Sequence, residues 1–209
     1  VEQVKIVNPG ISRALGGLRV IQLSDPETAN FGYLEVSLVE IVNRLEPDLI
    51  LVTGDLVNER QHLQFLLDIL NLLNPKFHTY LILGDEDGCI ADLTNSSIWE
   101  KAQASFIDEK AIRLNLKGRE DSYFWFVGSS YREAIKGATK DIPKNEPVIL
   151  MIHNPNIVKW AALAGVDLVL AGHTQGGQVG ISFLRKLFSY AQRSVYVSGL
   201  YKVRDTLLY

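Results

Sequence analysis

The sequence predicts a layered α/β domain, on three observations. Short apolar runs with the length and branching of buried strands recur along the chain: "LRVIQLS" (18–24), "DLILVTG" (48–54), "TYLILG" (79–84), "PVILMIH" (147–153) and "VDLVLAG" (166–172). Between them lie "YLEVSLVEIVNRL" (33–45), "HLQFLLDILNLL" (62–73) and "PNIVKWAALAG" (155–165), whose apolar residues return at helical intervals of three and four. Over 106–134 the alternation breaks, and "AIRLNL" and "SYFWFVG" around the turn "KGRED" predict a hairpin. Beyond 176, "RSVYVSGLYKV" and "DTLLY" are strand-like, with "RD" between them as a turn. Strand–helix alternation implies a mixed sheet, or a pair of packed sheets, flanked by helices. Residues 1–209 are expected to form one domain without repeats or low-complexity tracts.

Composition bounds the function. A hydrophobic content of 47% over 209 residues supplies a sizeable core. A net charge of -3, with acid and base spread along the chain, carries no nucleic-acid signature, so no polyanion partner is expected. Cys89 stands alone, which rules out an internal disulfide. No apolar run approaches the roughly 18 residues of a membrane span, and the first ten residues lack the blocks of a signal peptide. The chain opens at Val1 and its one methionine is Met151, so an upstream piece is expected to have been removed. Localisation is then cytoplasmic or peripheral at a membrane surface.

Each of the five apolar runs ends in a polar cluster: "SDPE" (24–27), "TGDLVN" (53–58), "LGDEDG" (83–88), "MIHNP" (151–155) and "AGHTQGGQ" (171–178). In an open α/β sheet, ligands bind beyond the carboxyl ends of the strands. Five clusters there offer Asp25, Glu27, Asp55, Asp85, Glu86, His153 and His173, oxygen and imidazole donors suited to divalent ions. Singly, each has an ordinary explanation. An aspartate beside a proline or loop satisfies turn amides, and a histidine before Asn-Pro can be a core residue bonded to backbone. Together they converge, whereas His62 and His78 fall on a helix face and in a loop and are given no role.

The crowding in "LGDEDG" needs an offset, because like charges about 4 Å apart repel by roughly 4 kcal/mol in a moderately screened interior. Asp25, Glu27, Asp55, Asp85 and Glu86 sum to -5, which two divalent ions nearly neutralise. Arg60 is the one Lys or Arg beside any of the clusters, so bound cations are the expected offset and the acidic triplet 85–87 is expected to line their site. A nucleotide-binding α/β domain is a weaker reading, since no Gly-rich phosphate loop follows any strand.

In this order and spacing, "DPE" (25–27), "GDLVN" (54–58), "GDED" (84–87), His153 and "GHTQ" (172–175) resemble the motif series of the calcineurin-like metallophosphoesterases. "GHTQGGQ" and "SGLY" (198–201) are similar to a branch that includes membrane-surface phosphoesterases and UDP-diacylglucosamine hydrolases. The resemblance implies an αββα sandwich, and a chain that continues past "DTLLY" in family members. It also implies a divalent-metal-dependent phosphoester hydrolase in which metal-activated water attacks a phosphomonoester, phosphodiester or pyrophosphate. The alternative is a metal-binding pseudoenzyme or scaffold that has lost hydrolysis. A phosphate-containing small molecule or a lipid-linked compound is the implied substrate.

The resemblance makes Asp55 the carboxylate that bridges two ions. One ion takes Asp55, Asp85, His153 and His173, with Asp85 where the family has asparagine. The other takes Asp25, Glu27, Asp55 and Gln175, with Glu27 and Gln175 in place of histidines. That all-oxygen shell favours Mn²⁺ or Mg²⁺, with Ca²⁺, Fe and Zn as alternatives. Glu86 stands where the family has the histidine that assists the leaving group or binds the phosphate, and a carboxylate there repels a phosphate ester unless it is protonated or held by a metal. Burial among carboxylates is expected to raise its pKa and let it donate a proton, with Asp55 completing the catalytic pair. The aspartate that the family carries in the segment matching "FVGSSYRE" (126–133) is serine here. Separately, "ISFLRKLFSYA" (181–191) sets apolar side chains beside Arg185 and Lys186, which suits either a peripheral membrane contact or a helix packed on the domain edge. Trp99, Trp125 and Trp160 are expected to be packing residues.

Overall fold

The computed structural model describes residues 2–116, 122–129, 131–174 and 195–209. Strands β1 (Val20–Leu23), β2 (Leu49–Thr53), β3 (His78–Ile82) and β4 (Ala104–Phe106) pair in parallel, in chain order, as one sheet. The second sheet contains β5 (Lys110–Leu114), β6 (Phe124–Gly128), β7 (Val148–Ile152), β8 (Leu168–Ala171), β9 (Tyr201–Val203) and β10 (Thr206–Leu208), in the order β5-β6-β7-β8-β10-β9. Its centre from β6 to β10 is parallel, and both edge strands, β5 and β9, are antiparallel to their neighbours. The helices are α1 (Pro9–Leu15), α2 (Tyr33–Arg44), α3 (Leu63–Leu72), α4 (Arg132–Thr139) and α5 (Val158–Leu163).

Side chains alternate across a strand, so a strand buried on both faces reads as an unbroken apolar run while feeding two different cores. Leu49, Leu51, Tyr80 and Ile82 of the first sheet face Phe124, Phe126, Ile149, Met151, Leu168 and Leu170 of the second. The intervening Ile50, Val52 and Leu81 turn outward onto Val39 and Val42 of α2 and Leu66, Ile69 and Leu70 of α3. On the far side, Val127, Val148, Leu150, Ile152 and Val169 meet Ile135 of α4 and Val158 and Ala161 of α5. Helix, sheet, sheet, helix is therefore the αββα sandwich that the sequence resemblance implies.

The five apolar runs are all strands, and the three helical segments are all helices, α3 and α5 each entered through a short 3-10 turn at 60–62 and 155–157. The expected hairpin is the antiparallel pair β5–β6; its turn at 117–121 lies outside the described residues. Glu146 ties this edge to β7, accepting two bonds from the Arg113 guanidinium, at 2.9 and 2.7 Å, and one from Trp125 Nε1 at 2.7 Å. Of the strand-like stretch after 194, only Tyr201–Val203 pairs, with Thr206–Leu208 across the Arg204–Asp205 turn. Three elements had no reading in sequence: α1, α4 and β4. The start of α1 carries a usable signal, since the Asn8 side chain accepts from the N–H of Gly10 and Ile11 and Pro9 opens the helix. Helix α4 is a short, mostly polar helix of eight residues whose apolar face is Ile135 with Ala138, and β4 is three residues long.

Trp99 is fully buried and Trp125 half-buried, as packing requires, but Trp160 is 41% exposed and lies under the Arg132 guanidinium at 5.4 Å. It is a surface residue, because α5 turns only Val158 and Ala161 into the core. No helix among the described residues is long and apolar enough to cross a membrane. The segment 181–191 lies outside the described residues.

Leu81, at 0% exposure on the central strand β3, should cost about 2–5 kcal/mol of stability when replaced by alanine, because the outer core cannot close around the cavity. Leu72→Ala, at a position 50% exposed on α3, should stay within about 0.5 kcal/mol. Urea unfolding followed by circular dichroism compares the two.

Candidate metal centre

The carboxyl ends of β1, β2, β3, β7 and β8 meet along the seam where the two sheets close. Three hydrogen bonds sew it: Gln22 Nε2 to the Ala171 carbonyl at 2.8 Å, His153 Nδ1 to the Thr53 carbonyl at 2.8 Å, and the His173 N–H to the Asp25 carboxylate at 3.0 Å. The loops after β1 and β2 continue the pairing, with Glu27 N–H on Asp55 O at 2.8 Å and Thr28 N–H on Leu56 O at 2.9 Å.

Asp55, His153 and His173 each direct a ligand-type atom to one point, all within 4.8 Å of one another. Close approach of the β2 and β3 loops makes this geometry. A Cβ on Gly84 would lie 2.2 Å from Asp55 N, and one on Gly54, at φ 89°, would lie 2.6 Å from His153 Nδ1. Asp25, Glu27, Asp55 and His173 themselves hold left-handed backbone, with φ of 51°, 40°, 53° and 70°. Such values are uncommon outside glycine and concentrate at functional sites.

The charge balance argues for a cation. A carbonyl oxygen only accepts, so the bond to Thr53 places the His153 proton on Nδ1. In the neutral ring, Nε2 then presents its lone pair to Asp55 Oδ2 at 3.1 Å, where it is buried without a well-formed hydrogen bond. Two lone pairs facing at that distance require a proton or a metal ion between them. As a proton site, burial opposes the imidazolium, but the Asp55 carboxylate, the Thr53 carbonyl and the Asp25 charge outweigh it and raise the His153 pKa to about 9. Asp55 responds oppositely. Burial pushes its carboxyl up, while His153, the Glu86 N–H at 3.1 Å and the His173 charge hold it below the usual range. Asp25 is raised by burial, with Asp55 adding and Ser24, His153 and the His173 N–H opposing. These donors fit a divalent ion: an orphaned imidazole nitrogen, an ionised buried carboxylate and a second imidazole.

Asp85 stands beside this group, its Oδ2 3.2 Å from His173 Nδ1, with a side chain 60% exposed. Asp25 and Glu27 lie on the neighbouring loop, and both Asp25 oxygens face the His173 N–H, at 3.0 and 3.1 Å. Gln175 lies outside the described residues. Two expectations need correcting. Glu86 is exposed, so the burial that was to raise its pKa is absent; the chain passes through it into the 3-10 turn at 87–93 with the side chain outward. Nor do all three residues of the acidic triplet line the site. Asp87 is fully buried and turned to the backbone, accepting from Leu56 N–H at 2.7 Å, Val57 N–H at 3.1 Å and Gly84 N–H at 2.7 Å. It clamps the β2 and β3 loops together, a role that sequence reasoning missed. Arg60 faces away, paired with Asp92 at 2.7 Å, and neutralises nothing here.

Asp87→Ala should leave those three amides unpaired and cost about 3 kcal/mol or more, measured by urea unfolding in chelator. The exposed Asp85→Ala should cost less than about 1 kcal/mol under the same conditions.

A sequence profile of the calcineurin-like phosphoesterases matches residues 18–176. An uncharacterised metallophosphoesterase of Bacillus subtilis, YkuE, is 23% identical over 95% of this chain and 72% of its own length. The phosphodiesterase YaeI of Escherichia coli is 27% identical over 87% of this chain and 69% of its own. Of three other relatives the chain spans 62%, 47% and 46% of their own length. Among solved structures, the phosphopantetheinyl hydrolase PptH of Mycobacterium tuberculosis shares the fold, with a TM-score of 0.58 over 91% of this chain and 87% of that one at 10% identity. The chain belongs to the calcineurin-like phosphoesterase family, hydrolases that act on phosphate esters with divalent metal ions.

Proposed function

We propose that this chain hydrolyses a phosphodiester with one or two divalent ions at the seam of the two sheets. The observation that carries the reading is the buried His153 Nε2, without a well-formed bond and aimed at Asp55 beside His173. Asp55, His153 and His173 hold the first ion, with Asp85 alongside; for the second, the family resemblance implies Asp25, Glu27, Asp55 and Gln175, oxygen donors that favour Mn²⁺ or Mg²⁺. A bound divalent ion supplies a water that ionises near neutral pH and a positive clamp on phosphate. The chain's own part is positional. The Thr53 carbonyl fixes the His153 tautomer, the Glu86 N–H fixes one Asp55 oxygen, and the Asp25 carboxylate holds the His173 backbone. The Glu86 side chain is exposed, and what this residue contributes to the cluster is its backbone N–H. One relative's name, phosphodiesterase, favours a diester. A lipid-linked ester at a membrane surface is supported by Tyr33 and Leu34, 84% and 76% exposed where α2 begins just beyond β1, together with the apolar and basic segment 181–191.

Millimolar Mn²⁺ should raise the melting temperature of chelator-treated protein, because an ion bound only by the native state adds about 2.7 kcal/mol at a hundredfold excess over Kd. His173→Ala should remove that rise; an unchanged response would place the ion elsewhere.

Hydrolysis of bis(p-nitrophenyl) phosphate in Mn²⁺ tests catalysis directly. His153→Ala should lower kcat/KM by about a hundredfold or more. Glu27→His, Glu86→His and Gln175→His combined should raise it beyond any single change, since groups acting as a unit are not additive. A parent protein as fast as the triple variant would show that the carboxylate-rich shell is fully competent. A triple variant that binds two ions and hydrolyses no ester would discard the phosphoesterase reading.

A further inference from the structure

A cleft of about 600 Å³ opens from the strand-end loops at Asp25 and Glu27 and runs between the start of the chain and the segment leading into β9. Its far wall carries Tyr196, Tyr201 and Tyr209. The Tyr196 and Tyr201 rings meet edge to face, 5.2 Å apart at 78°, and the Val197 N–H donates to Tyr201 Oη at 3.3 Å. Glu2 hydrogen-bonds the Tyr209 hydroxyl, and burial together with that carboxylate pushes the phenol pKa up. Among the described residues, the charged ones lining the cleft are Glu2, Asp25 and Glu27, and no Lys, Arg or His lines it.

This chemistry selects a ligand. With ions drawing on Asp25 and Glu27, the described lining keeps Glu2 as its charge and three phenol rings as its aromatic surface, beside the neutral polar Gln22, Ser24, Thr174 and Ser198, to meet whatever extends from the phosphate. The negative charge of that described lining repels an additional anionic group. A plain hydrocarbon strips water from Glu2 and the phenol hydroxyls without replacing it. A substituted ammonium matches both features, since aromatic faces attract quaternary and alkylated nitrogen and a carboxylate complements its charge. Asp85 and Glu86, both exposed, are not part of the cleft wall, so an alcohol departing on their solvent side leaves the cleft to the other, retained substituent.

We propose that the cleft is the subsite for an amino alcohol, so that the preferred substrate is a phosphodiester one of whose alcohols bears a substituted ammonium group. This rests on the phosphoesterase reading. In the reaction, the water oxygen bonds to phosphorus and the bond from phosphorus to the other alcohol breaks. One water proton goes to the departing oxygen and one to solvent, and the phosphorylated amino alcohol is released.

The test compares three esters with the same leaving group in Mn²⁺: p-nitrophenyl phosphocholine, the p-nitrophenyl ester of thymidine 5′-monophosphate, and bis(p-nitrophenyl) phosphate. The choline ester should exceed the thymidine ester in kcat/KM by about tenfold. Tyr196→Ala and Glu2→Gln should each reduce that ratio by about threefold or more, whereas Tyr196→Phe, which keeps the ring, should preserve it. Glu2→Gln, at an exposed position near the start of the chain, guards against loss of fold as the cause. Equal turnover of the choline and thymidine esters, or a ratio untouched by Tyr196→Ala and Glu2→Gln, overturns the subsite while bis(p-nitrophenyl) phosphate hydrolysis leaves the phosphoesterase reading standing. Turnover of none of the three esters removes that reading and this inference with it.

Discussion

The arrangement of the strand ends depends on keeping one carboxylate ionised inside the protein. Asp55 is 6% exposed, and taking a carboxylate out of water costs several kcal/mol unless its lone pairs are met. The Glu86 N–H meets one oxygen and the His153 imidazole faces the other. Neither partner comes from β2. The first requires β3 to end level with β2, as the Thr53–Ile82 register provides, with a glycine at 84 because no Cβ fits against Asp55. The second requires the other sheet to bring β7 to the same height, so that His153 reaches Asp55 Oδ2 and the Thr53 carbonyl at once. The two-sheet architecture thus does something that one sheet cannot: it supplies an imidazole partner from across the central core.

The same constraint explains how three consecutive acidic residues are tolerated. Held together, they repel by several kcal/mol at typical spacing. The turn after β3 sends them in three directions instead. Asp85 goes toward His173, Glu86 toward solvent, and Asp87 into a pocket of three backbone N–H groups. Dispersal of the triplet separates a structural acid from acids that stand at the site, and it leaves the residual negative charge concentrated at Asp55, Asp25 and Asp85, where an ion has the most to gain.

Strand positions were legible because double burial makes β2, β3, β7 and β8 read as continuous apolar runs, and their ends were legible because polar residues follow each at once. Asp55, His153 and His173 were found this way, from position in the chain alone. What stayed hidden depends on contacts between distant segments. Nothing local to Asp87 says that the amides of Leu56 and Val57, some thirty residues earlier, will lie beneath it. Helix α4 was invisible for a simpler reason: it is eight mostly polar residues long, and its apolar face is reduced to Ile135 with Ala138 one turn on.

Left-handed backbone at Asp25, Glu27, Asp55 and His173 costs up to about 1–3 kcal/mol each, less for aspartate and histidine, which tolerate that region best. Such strain persists only where surrounding bonds leave no alternative. Here the Asp25 N–H is held by Gly54 O at 3.2 Å, the Glu27 N–H by Asp55 O at 2.8 Å and the His173 N–H by Asp25 at 3.0 Å, so each strained residue is pinned by the next. None of these bonds uses the Glu27 side chain. The backbone therefore dictates where that side chain emerges whether it is the glutamate of this chain or the histidine that the family resemblance puts there. On the two-ion reading proposed above, glutamate in place of histidine shifts the preference of that position toward harder, oxygen-seeking metals, while the place from which the side chain is offered stays fixed by the main chain.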